Sequence, residues 1–77
     1  MSDWAEDFAA ATATAERTQA AENEAEGLFD RVHDKAQADG NKGHALTTDE
    51  FHNWMAARHA TDAAWGAWST VMDAKPV

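Results

Sequence analysis

Apolar side chains recur every three or four residues along two stretches of this chain, and nowhere do they alternate with polar ones. In the first stretch Trp4, Phe8, Ala11 and Ala15, then Ala25, Leu28, Phe29, Val32 and Ala36, fall on one side of a helix. In the second, Phe51, Trp54, Met55, Trp65, Trp68, Val71 and Met72 do the same, with Arg58 among them. A strand needs β-branched or aromatic residues at every second position, and none of the sequence offers that. Proline, which would break a helix, occurs only at Pro76. The pattern predicts an all-α chain forming one small domain over residues 1–77.

Helix ends can be read from the polar residues between these stretches. Ser2 or Asp3 can cap the first helix, and Asp3, Glu6 and Asp7 suit its positive end. The segment Asp39 to Leu46, DGNKGHAL, has the glycines, Asn and Asp of a turn. Thr47 and Glu50 then stand three apart, the spacing of a capping box. Gly27 interrupts the first helix at a cost of about 1 kcal/mol relative to alanine. Two architectures follow: a helical hairpin whose first arm runs through Gly27, or a small three-helix bundle with helices at about 3–26, 28–38 and 48–74. The near-equal lengths of residues 3–26 and 49–74 favour the bundle.

If the turn simply reverses the chain, residue 49 faces residue 38, and facing positions sum to about 87. Trp54 and Met55 then meet Phe29 and Val32, and Trp65 and Trp68 lie against the small residues Thr18, Ala21 and Ala25. Arg58 falls beside Glu26 and Asp30 as an interhelical ion pair. In this register residues 1 to 13 overhang, so Trp4 and Phe8 need either a third helix or another chain to cover them.

Composition narrows the picture. Of 34 hydrophobic residues 19 are alanine, which leaves 15 larger apolar side chains, four of them tryptophan, to form a core. A core this thin is near the limit for independent folding and makes self-association, a homodimer for example, an expected outcome. With no cysteine there is no disulfide or thiolate site. No apolar run reaches the roughly 20 residues of a membrane span, and the acidic start MSDWAEDF lacks the positive charge of a signal peptide. A cytoplasmic location is the expectation.

The net charge of −8 disfavours direct contact with nucleic acid or an anionic membrane and suits a larger basic protein as partner. Nine acids and three bases lie in residues 1–38, against five and three in 39–77. Glu22, Glu26, Asp30 and Asp34 stand at successive i,i+4 positions, with Glu24 nearby. Each like-charge step opposes helix formation by roughly 0.2–0.5 kcal/mol. The row winds slowly around the helix in steps of about 6 Å, much as phosphates follow a nucleic-acid strand. Trp4 and Phe8 join these four carboxylates as candidate partner-binding residues. The plainer account of the row is a solvated face partly neutralised by Arg31, Lys35 and Arg58.

The turn offers a second candidate. In DGNKGHALTTDE, Asp39, Asn41, Thr47 and Glu50 occupy positions 1, 3, 9 and 12, with Leu46 at position 8. This resembles the calcium loop of an EF-hand, which implies oxygen ligands at those positions and a bidentate Glu50. Gly43 stands where the family has a side-chain oxygen and His44 where it has its turn glycine, and there is no second hand. His52 and His59 are seven residues apart, about 10.5 Å along a helix, too far to share an ion. Only Ser2 and Ser69 supply serine hydroxyls, neither in register with a histidine, and there is no phosphate-binding glycine loop. The sequence thus points to a non-enzymatic module without a cofactor: an acidic helical inhibitor or adaptor on a basic, nucleic-acid-handling protein. Phage-encoded inhibitors share this physical profile. The alternatives are a divalent-ion binder at Asp39–Glu50 and a subunit of a helical homo-oligomer.

Overall fold

A computed structural model describes residues 3–76 and shows a helical hairpin. Helix α1 spans Trp4–Ala38, a 3-10 helix η1 spans Lys42–Thr47, and helix α2 spans Asp49–Asp73. No strand occurs among the described residues. The rod measures 57 × 16 × 14 Å with a radius of gyration of 17.1 Å. A compact globule of this length would have a radius of about 11–12 Å. The two long helices therefore lie side by side, the 25 residues of α2 against most of the 35 of α1.

The caps explain the helix ends. Asp3 accepts a hydrogen bond from the Ala5 N–H at 3.3 Å, with Glu6 and Asp7 in the first turn of α1 and Lys35 in its last. At the other end Gly40 takes φ 77, the left-handed region that favours glycine. Asn41 N–H then donates to Ala36 carbonyl at 2.8 Å and Gly40 N–H to Gln37 carbonyl at 3.1 Å, a Schellman closure. Helix α2 starts one residue later than the capping-box spacing implies. Thr47 belongs to η1 and gives its hydroxyl to the His44 carbonyl at 2.8 Å. Thr48 is the cap instead, its Oγ accepting from Phe51 N–H at 3.3 Å, so Glu50 has no reciprocal role.

The break at Gly27 is not there: α1 continues through it, and a hairpin rather than a bundle results. A cost of about 1 kcal/mol is small against packing along 35 residues. That packing follows an unbroken alternation of fours and threes. Trp4, Phe8, Ala11, Ala15, Thr18, Glu22, Ala25, Phe29, Val32 and Ala36 are all buried or half-buried. Trp54, Ala57, Thr61, Ala64, Trp68 and Val71 form the matching line on α2. Such a 3.5-residue average is the seam of a coiled coil. Leu28 lies off the seam and is 47% exposed, so it is not part of the inward face.

Facing positions sum to about 80 rather than 87, as Thr61 against Thr18 and Trp68 against Thr12 show. The connection causes the difference. Instead of reversing at once, η1 folds back beneath α1 and buries Ala45 against Phe29 and Ala36. Helix α2 thereby begins some seven positions further back along α1, about 10 Å. Its far end reaches Trp4, and the expected overhang disappears over residues 4–13; residues 1 and 2 lie outside the described residues.

Bulk is concentrated at the two ends of the seam. At the loop end Phe29 stacks on Trp54 at 4.9 Å between centroids and tilts against Phe51 at 5.5 Å. At the open end Trp4 stacks on Phe8 at 5.1 Å, and Phe8 meets Trp68 at 5.7 Å. Between them lie Ala15, Thr61 and Ala64, buried and small. Replacing Gly27 by alanine adds a Cβ with nothing within 4 Å, and should stabilise the chain by about 1 kcal/mol in urea denaturation. Gly40→Ala, by contrast, forces a side chain into positive φ and should destabilise by about 1 kcal/mol.

Candidate docking surfaces

The polar groups within the seam fix its register. Trp4 Nε1–H donates to the Val71 carbonyl at 2.7 Å. Trp68 Nε1–H donates to Thr12 Oγ at 3.0 Å, and the Thr12 hydroxyl donates onward to Phe8 carbonyl at 2.8 Å. The buried Thr61 hydroxyl lies 3.1 Å from Thr18 carbonyl on α1 and 3.0 Å from Ala57 carbonyl on α2, so its hydrogen bridges the helices. A slip by one position would strand each of these donors, at a cost of about 1–3 kcal/mol apiece where buried. Trp54 Nε1 is the exception, buried without a partner among the described residues.

This arrangement reassigns Trp4 and Phe8. The reading of an uncovered overhang does not hold, because both side chains are half-buried inside the hairpin. Trp4 is further held by Lys75, whose Nζ lies 5.8 Å from its ring centre. They close the open end of the rod.

The carboxylate row divides. Glu22 occupies a seam position and is half-buried, whereas Glu26, Asp30 and Asp34 are exposed on the flank of α1. Among the described residues no Lys or Arg lies within 4.0 Å of a carboxylate, and the one contact of that kind is His33 Nδ1 to Asp34 Oδ1 at 4.0 Å. The ion pair expected between Arg58 and Glu26 or Asp30 does not form. In the observed register Arg58 is level with Glu22 instead, and its guanidinium lies over Trp54 at 5.6 Å from the ring centre. Chain neutralisation of the row is therefore weak, and its three outer carboxylates face solvent.

No family model, no curated protein and no solved structure matches the chain.

At the turn, Asp39 and Glu50 line an open cleft of about 300 Å³ with Val32, Lys35, Ala36, His44 and Thr48. The cleft mixes both signs of charge, and Asn41 is not part of it. The backbone between Asp39 and Glu50 does not wrap around a centre. It is wound into η1, and the Ala45 carbonyl accepts from both the N–H and the hydroxyl of Thr48, at 3.4 and 2.7 Å. Asn41 and His44 carbonyls are likewise engaged by His44 N–H and Thr47 hydroxyl. Among the described residues no three His, Asp or Glu side chains gather as ion ligands. Nor is any described helix long and apolar enough to cross a membrane.

Sequence reasoning missed Thr12 and Thr61, and took Thr18 only as a small residue facing tryptophan, not as a hydrogen-bond acceptor across the seam. Their signal was spacing: Thr18 and Thr61 fall on the three-four lines of the two seams, and Thr12 flanks one. Thr61→Val keeps the shape and removes the hydroxyl bridge; the melting temperature should fall by several degrees, equivalent to about 1 kcal/mol. Calcium at millimolar concentration should leave that melting temperature unmoved, because a bound ion would raise it.

Proposed function

We propose that this chain is a non-enzymatic binding module, an acidic helical inhibitor or adaptor that docks on a larger basic protein handling nucleic acid. The observation that carries the reading is the uncompensated row on α1: Glu26, Asp30 and Asp34 exposed, Glu22 at the seam's edge, and no Lys or Arg of the chain paired with them. A row that opposes its own helix by roughly 1 kcal/mol in total, with no Lys or Arg within 4.0 Å of it, is open to cations from outside the chain. A straight rod, 57 Å long and about 15 Å across, lays that row out as a line of charge. A basic groove built to hold a phosphate strand accepts such a line. Affinity of this kind is steered by long-range attraction and screened by salt.

The phage-inhibitor comparison rests on the same physical profile, small size, helicity and negative charge, and adds no independent support. Trp4 and Phe8 contribute by holding the rod straight rather than by touching the partner. The divalent-ion alternative draws no support from the Asp39–Glu50 turn, where the carbonyls are already engaged.

The test captures proteins from the host's lysate on the immobilised chain at low salt and elutes with duplex DNA. Proteins retained specifically should be basic, should be released by the DNA, and should be lost as salt rises. The variant carrying Glu22→Gln, Glu26→Gln, Asp30→Asn and Asp34→Asn should keep its helical circular dichroism and bind those proteins at least about tenfold more weakly. Unchanged capture by that variant would reduce the row to a solvated face.

A further inference from the structure

Helix α2 carries a second seam. Beside the line that packs on α1, Phe51, Met55, Arg58, Asp62, Trp65 and Ser69 repeat the four-three spacing one position further round the helix. Phe51 and Met55 are half-buried, whereas Arg58, Asp62 and Ser69 are exposed and Trp65 is 37% exposed. A single helix with two adjacent lines of this period can pack on two neighbours. Helix α1 is only one.

We infer that the second neighbour is α2 of another copy of this chain, laid antiparallel across a two-fold axis near position 60. The residues on the line are self-complementary about that point. Antiparallel pairing there sets Arg58 against Asp62 of the second copy, and Asp62 against its Arg58. It sets Met55 against Trp65, a favourable sulfur–aromatic contact, and Phe51 against Ser69, large against small. Neither Arg58 nor Asp62 has an ion-pair partner among the described residues, and Arg58 rests only on the face of Trp54, which leaves both charges open to an ion pair. Met55, Arg58, His59 and Asp62 also line an open hollow of about 180 Å³. Their spacing, i, i+3, i+4 and i+7, is that of a coiled-coil hole awaiting a knob. Helical side chains lean toward their own N-terminus, so Trp65 of the second copy, level with Met55, slants its indole over that hollow. Trp65 is held for the task by Trp68, edge to face at 5.5 Å.

An isologous contact of this kind gives a closed dimer of two hairpins, a four-helix assembly. It supplies what the single hairpin lacks, since no large side chain in the hairpin is fully buried. The dimer does not depend on the acidic row, which lies on α1.

Sedimentation velocity on the full chain over a concentration series tests it, at about 0.15 M salt, where the Debye length is about 8 Å and long-range repulsion is damped. The expected result is a monomer–dimer equilibrium. Arg58→Asp and Asp62→Arg should each raise the dissociation constant at least about tenfold, as should Trp65→Ala. The double variant R58D/D62R restores opposite charges across the axis and should recover the dimer. All three side chains changed are at the surface, and circular dichroism will report helicity unchanged. A chain that stays monomeric up to millimolar concentration overturns the inference. So does a dimer indifferent to R58D and D62R, or a double variant that fails to recover. The Glu/Asp to Gln/Asn variant on α1 should dimerise as the parent does, which keeps this test separate from that of partner binding.

Discussion

Two helices can bury only one line of side chains on each, and every other feature of this protein follows from how that single line is filled. Here the filling is uneven. Aromatic rings occupy the two ends, alanine and threonine the middle, and the largest side chains are shared between helices rather than enclosed by them. The Phe29–Trp54 stack and the Trp4–Phe8–Trp68 group hold the arms together from opposite ends of the rod. Hydrogen bonds from Trp4, Trp68 and Thr61 across the interface then select one register out of several that alanine alone would tolerate.

Surface properties follow from the same limitation. With so little interior, the outward faces carry most of the side-chain chemistry, and the two helices divide it between them. Helix α1 turns outward carboxylates that no Lys or Arg among the described residues pairs with. Helix α2 turns out a mixed line of sulfur, aromatic and oppositely charged groups. One flank is the one proposed to meet a cationic protein, the other the one proposed to meet a second copy of the chain. Occupation of both at once would present two acidic rows on a single assembly, multiplying contacts with a partner that offers two basic grooves.

Much of the fold was legible in the residues. The three-four spacing of Trp4, Phe8, Phe29 and Trp54, the turn residues of DGNKGHAL and the absence of alternation together dictate an all-helical chain reversed near residue 40. The register was not legible, because it depends on η1 folding back under α1. Nothing local in Lys42–Thr47 distinguishes a compact 3-10 turn from an open loop; burial of Ala45 against Phe29 decides it, and that is a tertiary contact. From the register came the other differences: the cover over Trp4 and Phe8, the displacement of Arg58 from Glu26 and Asp30, and the seam position of Glu22. Gly27 illustrates a weak local preference overruled by long-range packing. The acidic row itself could be read directly, since i,i+4 spacing survives any change of register.

The narrow middle of the rod has a mechanical meaning. In most helical hairpins the open end frays first, because nothing holds it. This one is fastened at its termini by tryptophan and again at its turn by phenylalanine, while the centre depends on methyl groups and one threonine hydroxyl. Transient parting of the arms should therefore begin midway, as a bubble between two closed ends, and backbone amides near Ala15 and Ala64 should exchange with solvent sooner than those beside Phe8 or Phe29.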